Sequence, residues 1–210
     1  IRLIKREAPD MLLFRFCGHG AGPLPAMSGT AYMLRHNLRA SACTYLFRRS
    51  LLGNLRFIQG ILHEDEAFTP QLMLRARTVL DTGCAAYAYR RHASSITTRT
   101  DQNHIRRRLA DKEAVIVMLD RLSHHLPPQQ AVALRRCVSQ LTMDLLLGTA
   151  RLTYGSDPLR QLVSRLRPAL LYPLPLKPYT PAYFLFSLLS ASSVGLSLLR
   201  PLVSKLTAEG

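Results

Sequence analysis

Apolar residues in the first hundred positions fall into short runs separated by Gly, Pro and charged residues. Residues 11–16 are a compact apolar run that predicts a strand ending at Cys17-Gly18, followed by a Gly/Pro-rich loop over 18–25. Ser28 suits the N-cap of a short helix through about Asn37. Residues 43–47 predict a second strand and residues 56–62 a third, interrupted by Gly60. Thr69-Pro70 then reads as an N-cap and first-turn proline of a helix through about Arg77. Residues 78–80 and 85–89 complete the β-like runs, with Tyr87 and Tyr89 sharing one face at period two. Strands interleaved with helices predict an α/β sheet.

After His104 the pattern changes to helices. Residues 104–125 form one, closed by Pro127-Pro128. Residues 129–154 form a second, where Leu134, Val138, Leu141, Leu145 and Leu152 make an apolar stripe whose companion packs on the α/β part. Asp157-Pro158 opens a short helix to about Arg167, and residues 168–181, holding five of the thirteen prolines, read as an extended linker. Residues 182–199 are 18 positions without a charge, flanked by Lys177, Arg200 and Lys205. That reaches the lower bound for a membrane span, but five serines and Gly195 dilute it. An interfacial amphipathic helix over 182–206 is therefore preferred to a buried core helix, and both to a span. The pattern divides the chain into residues 1–104 and a helical extension, 105–210.

The length of 210 residues suits one domain, or one compact unit with an appendage. The first residues read as the middle of a longer protein, and no signal peptide opens the chain. The net charge of +15 is carried almost wholly by arginine and is spread along the chain, +7 up to His104 and +8 beyond. Such a field suits a polyanionic partner such as nucleic acid, an anionic membrane or a diphosphate; an arginine-biased solvated surface is the plainer reading. Four dispersed cysteines, with no zinc spacing, read as buried thiols in a reducing compartment.

The chemistry concentrates in Gly60-Ile-Leu-His-Glu-Asp-Glu-Ala-Phe-Thr-Pro70, where Glu64, Asp65 and Glu66 stand together in an otherwise basic chain. Consecutive carboxylates need solvent, cations or a helix N-terminus. One of them can act as a general base if its pKa and reach suit; a solvated acidic turn is the alternative. This stretch resembles the Glu-Asp motif of bacterial family 2 glycosyltransferases of the cell-surface polysaccharide type. Upstream, Cys43-Thr-Tyr-Leu-Phe-Arg-Arg-Ser-Leu-Leu52 is similar to that branch's aromatic-Arg-Arg segment. Downstream, Tyr87-Ala-Tyr-Arg-Arg-His92 with Ser94-Ser-Ile96 is similar to its Tyr-x-Tyr-Arg strand and Ser-Ile loop. The three blocks cover about residues 10–105.

The resemblance implies a GT-A fold, of which residues 1–104 would be the acceptor-side half, leaving a sheet edge for the missing half. It implies inverting transfer of a sugar from a nucleotide-sugar donor to a carbohydrate or lipid-linked acceptor, in the cytoplasm or on the inner face of the plasma membrane. Asp65 would be the general base, with Glu64 its motif neighbour. Arg90, Arg91, His92 and Arg48 would approach the diphosphate or the acceptor, against the plainer reading of surface arginines. His63 lies beside the acids without a metal role. The chain departs from the family in having no Asp-x-Asp among its eight aspartates and no tryptophan. The divalent cation (Mg or Mn) of the family would therefore be held upstream of this chain, with none bound here, and transfer would be nonprocessive. The alternative is a non-enzymatic basic module binding nucleic acid or an anionic membrane. No nucleic-acid motif supports it, so nucleic acid is not an expected partner.

Overall fold

The computed structural model describes residues 2–16, 22–88, 101–152 and 157–199. The order of elements is α1 (Arg2–Glu7), β1 (Met11–Phe16), α2 (Gly29–Arg35), β2 (Tyr45–Phe47), α3 (Glu64–Arg75), β3 (Val79–Tyr87), α4 (Gln102–Ser123), α5 (Pro128–Ala150), α6 (Pro158–Leu166) and α7 (Pro181–Ser190). The fold is mixed α/β, with a small mixed sheet in the order β2-β1-β3. β1 lies antiparallel to β2 and parallel to β3. Met11 and Leu13 alternate into the core as period two demands, with Val79 and Asp81 beside them on β3.

The runs expected at 78–80 and 85–89 are joined rather than separate; Tyr89, expected to share a face with Tyr87, lies outside the described residues. A single strand carries the chain from Val79 to Tyr87, and its register against β1 slips around Gly83, whose φ is +63°. The outer edge of β3 is taken by residues 24–27: Leu24 N–H donates to Asp81 O (2.9 Å), and Met27 exchanges backbone hydrogen bonds with Val79 (3.1 and 2.7 Å). Asp10 pins the entry of β3 by accepting from the N–H groups of Arg77 (2.9 Å) and Thr78 (3.2 Å).

Residues 56–62 are an irregular loop, not a strand. Their apolar residues Phe57 and Ile58 are adjacent instead of alternating, both are exposed, and Gly60 has a φ of +81°. Helix α3 begins at Glu64, six positions before Pro70, so Thr69-Pro70 is not its start. Thr69 is fully buried with its hydroxyl 2.9 Å from that of Tyr45, a tertiary use that leaves nothing for capping. Pro70 sits in the helix interior, where the N–H it lacks would have donated to the Glu66 carbonyl.

The caps elsewhere follow the sequence. Ser28 Oγ accepts from Ala31 N–H (3.1 Å) and Asp157 Oδ1 from Arg160 N–H (3.2 Å). Helix α5 is the axle of the molecule. Leu134, Val138, Leu141 and Leu145 are buried, and α5 packs against α2, α3, α4, α6 and α7. Arg136, 3 % exposed, reaches back to α2 and donates to Met33 O (2.7 Å), His36 O and Asn37 Oδ1 (3.0 Å), capping the carbonyl end of that helix. One apolar core cluster runs from Met11 to Leu199 and takes in residues of both the sheet and the helices. Of the cysteines, Cys137 is buried, Cys43 is partly exposed and Cys84 is exposed, against the expectation of uniform burial; Cys17 lies outside the described residues.

Candidate functional site

The acidic stretch forms the first turn of α3. Its N-cap, His63, takes a left-handed conformation (φ 72°, ψ 30°) and offers no side-chain cap, so the carboxylates themselves face the positive end of the helix. Consecutive helical positions are rotated by about 100°, and the three acids meet three environments. Glu64 is exposed. Glu66 turns inward, its Oε1 lying 3.0 Å from Lys112 Nζ of α4 and 3.4 Å from His63 Nδ1. Burial raises the Glu66 carboxyl, but the His63 and Lys112 interactions outweigh it and hold it below its ordinary value. Glu66 Oε2 is buried without a hydrogen-bond partner among the described residues.

Asp65 differs from both. It is half-buried, and its Oδ1 accepts from Glu66 N–H (2.9 Å). Burial pushes its carboxyl up to about 6, with the charges of Glu66 and Glu64 adding to the rise and the backbone hydrogen bond and His63 opposing it. Tyr45 stands near enough for the Asp65 charge to help raise its phenol, after burial. Beside this turn, Phe57 stacks on Phe68 (centroids 4.1 Å apart), leaving Phe57 and Phe47 partly exposed.

The loop before the acids is fastened to α4. Asp111 Oδ2 accepts from Leu62 N–H (2.9 Å), and Arg107 donates to Gly60 O (2.8 Å) while lying 3.7 Å from Asp111. Sequence reading missed this clamp. Its signals were an Arg107/Asp111 pair at helical i,i+4 spacing and Lys112, one of only four lysines.

Arg48 is not brought into this site by any polar contact. Its guanidinium donates to Ala8 O and Pro9 O (3.2 Å) and lies 3.6 Å from Asp10, tying β2 to the turn before β1. Arg90, Arg91 and His92 lie outside the described residues. Comparison with protein-family models, curated proteins and solved structures returned no match to this chain.

A second polar group, also missed from sequence, stands on the sheet. Asp81 is 2 % exposed and accepts from Arg15 Nη2 (2.6 Å), Tyr32 Oη (3.0 Å) and Gly83 N–H (3.1 Å). Burial, then the Asp81 charge, push the Tyr32 phenol up to about 12. With both carboxylate oxygens hydrogen-bonded and the side chain buried, Asp81 holds β1, β3 and α2 together. No group of three or more His, Cys, Asp or Glu side chains among the described residues is arranged to hold a metal ion. No helix among them is long and apolar enough to cross a membrane.

Proposed function

We propose that this chain is the acceptor-side part of an inverting GT-A glycosyltransferase of surface polysaccharide synthesis, with Asp65 as the general base. The observation that carries the reading is the setting of Asp65, a half-buried carboxylate in the first turn of α3 that burial pushes up to about 6. A base with that value is largely ionised at neutral pH yet holds a proton far better than a solvated carboxylate. Oδ1 is occupied by Glu66 N–H, leaving Oδ2 to take the proton. The acceptor hydroxyl gives its proton to Oδ2 as its oxygen attacks the anomeric carbon, opposite the departing nucleoside diphosphate. The three strands would be the last part of the GT-A mixed sheet. By the resemblance, the cation that receives the diphosphate charge is bound by an Asp-x-Asp segment, which this sequence lacks. The described residues supply no substitute, so no step is assigned to it here.

The role of Glu64 in this reading is electrostatic, since it is exposed and adds to the rise at Asp65. The test is turnover of nucleotide-sugar by the full-length gene product. Asp65→Asn keeps shape and the Glu66 hydrogen bond but cannot take the proton, and is expected to lower kcat by about a hundredfold or more with donor affinity retained. Glu66→Gln should cost much less, with Glu64→Gln between them. Near-normal turnover in Asp65→Asn, with loss on changing a neighbour, would move the base. Absence of transfer in the unaltered protein, with tight binding to nucleic acid, would replace the enzyme reading with the basic-module one.

A further inference from the structure

Half of the large apolar side chains exposed among the described residues, seven of fourteen, lie between residues 170 and 198. On α7, Tyr183, Phe186, Ser187 and Ser190 face the core, while Phe184, Leu185 and Leu188 share the opposite face and are 43, 58 and 54 % exposed. The helical stretch over 193–199 repeats the division: Leu196 and Leu199 are buried, and Val194 and Leu198 are exposed. The two helices meet at their backbones, since a Cβ on Gly195 would fall 1.8 Å from Leu189 O. Neither stretch is long enough to cross a bilayer.

The sequence that carries this face has charge of one sign. Residues 158–208 contain no acidic side chain but include Arg160, Arg165, Arg167, Lys177, Arg200 and Lys205. Arg160 and Arg165 are paired with Asp157 and Glu113, whereas Lys177 is exposed next to Leu176, itself 55 % exposed. A second copy of the chain is a poor occupant, because joining these faces would bring together two acid-free, cationic segments of a +15 protein. Apolar side chains protruding from short helices in an acid-free, cationic segment match the interface of an anionic bilayer. We infer that the face formed by α7 and residues 193–199 docks in-plane on an anionic lipid surface.

The test is flotation of the purified chain with phosphatidylcholine vesicles, with and without phosphatidylglycerol. Binding should require phosphatidylglycerol and weaken with salt. Phe184→Ser/Leu185→Ser/Leu188→Ser, on exposed positions, should lower partitioning about tenfold or more with an unchanged circular dichroism spectrum. Lys177→Glu, which removes no apolar group, should lower it about fivefold. Equal partitioning of the triple variant, or equal binding to neutral vesicles, would overturn the inference. So would a concentration-dependent dimer abolished by the triple variant without flotation, which assigns the face to a second copy. Flotation that appears only after removal of residues 200–210 would assign it to the chain's own tail, with the same effect.

Discussion

Asp65→Asn is expected to stabilise the fold at neutral pH, although it removes the proposed base. A carboxyl whose value rises from 3.8 unfolded to about 6 folded binds more protons in the folded state between those values. Stability therefore falls as pH rises from about 4 to about 6, and the full cost applies above that. The difference between the two values corresponds to about 3 kcal/mol, and solvent access to this half-buried group reduces it to about 1–2. The positive end of α3 acts in the opposite direction, by about 0.3–1 kcal/mol. Asparagine keeps the acceptor for Glu66 N–H, so the net gain at pH 7.5 should be about 1 kcal/mol, vanishing near pH 4. Urea unfolding of both proteins at the two pH values measures this. A variant equally or less stable at pH 7.5, with no difference in behaviour at pH 4, would show that Asp65 is solvated and would remove the basis of its assignment.

Three further outcomes follow from other contacts. Under the proposed function, kcat/KM of the full-length product should fall on the acid side with an apparent pKa near 6, because protonating Asp65 removes the proposed base; a limb near 4 would contradict it. Lys112→Met leaves Glu66 with one oxygen already unpartnered and its main cation gone, and should cost about 3 kcal/mol in urea unfolding at pH 7, with Lys112→Arg retaining part of it. Gly29→Ala should cost about 3 kcal/mol or more, since the new Cβ would lie 1.8 Å from Met73 O, where the start of α2 meets α3 through backbone.

Local signals in this sequence were legible where they were self-contained. The apolar run of β1, the Ser28 and Asp157 caps and the stripe of α5 each involve residues close in the chain, and each formed its element. Expectations failed where a distant partner decided. Thr69-Pro70 has the chemistry of a helix start, but Tyr45, 24 positions earlier, takes the Thr69 hydroxyl and the helix begins at the acids. The clamp of Arg107, Asp111 and Lys112 on the acidic turn depends on how α4 lies across α3, which no spacing within either segment states.

The acidic triplet could be placed beside a helix start from sequence, but the different environments of its three members could not. Three adjacent carboxylates repel one another, and the fold resolves the conflict unequally. Glu64 is left to solvent, and Glu66 is compensated by Lys112 and His63. Asp65 receives a backbone hydrogen bond and the pull of His63, but burial, joined by the charges of Glu66 and Glu64, outweighs both, so the uncompensated cost collects on that one group. What weakens the folded state there is the same free energy that makes the carboxylate a better proton acceptor than a solvated aspartate. Under the proposed function, stability against pH and activity against pH would therefore report a single quantity through different assays. If Lys112→Met left Glu66 uncompensated without unfolding the turn, the added repulsion should raise Asp65 further and move both profiles to higher pH together. Movement of one profile without the other would mean that the stability term and the catalytic base reside on different residues.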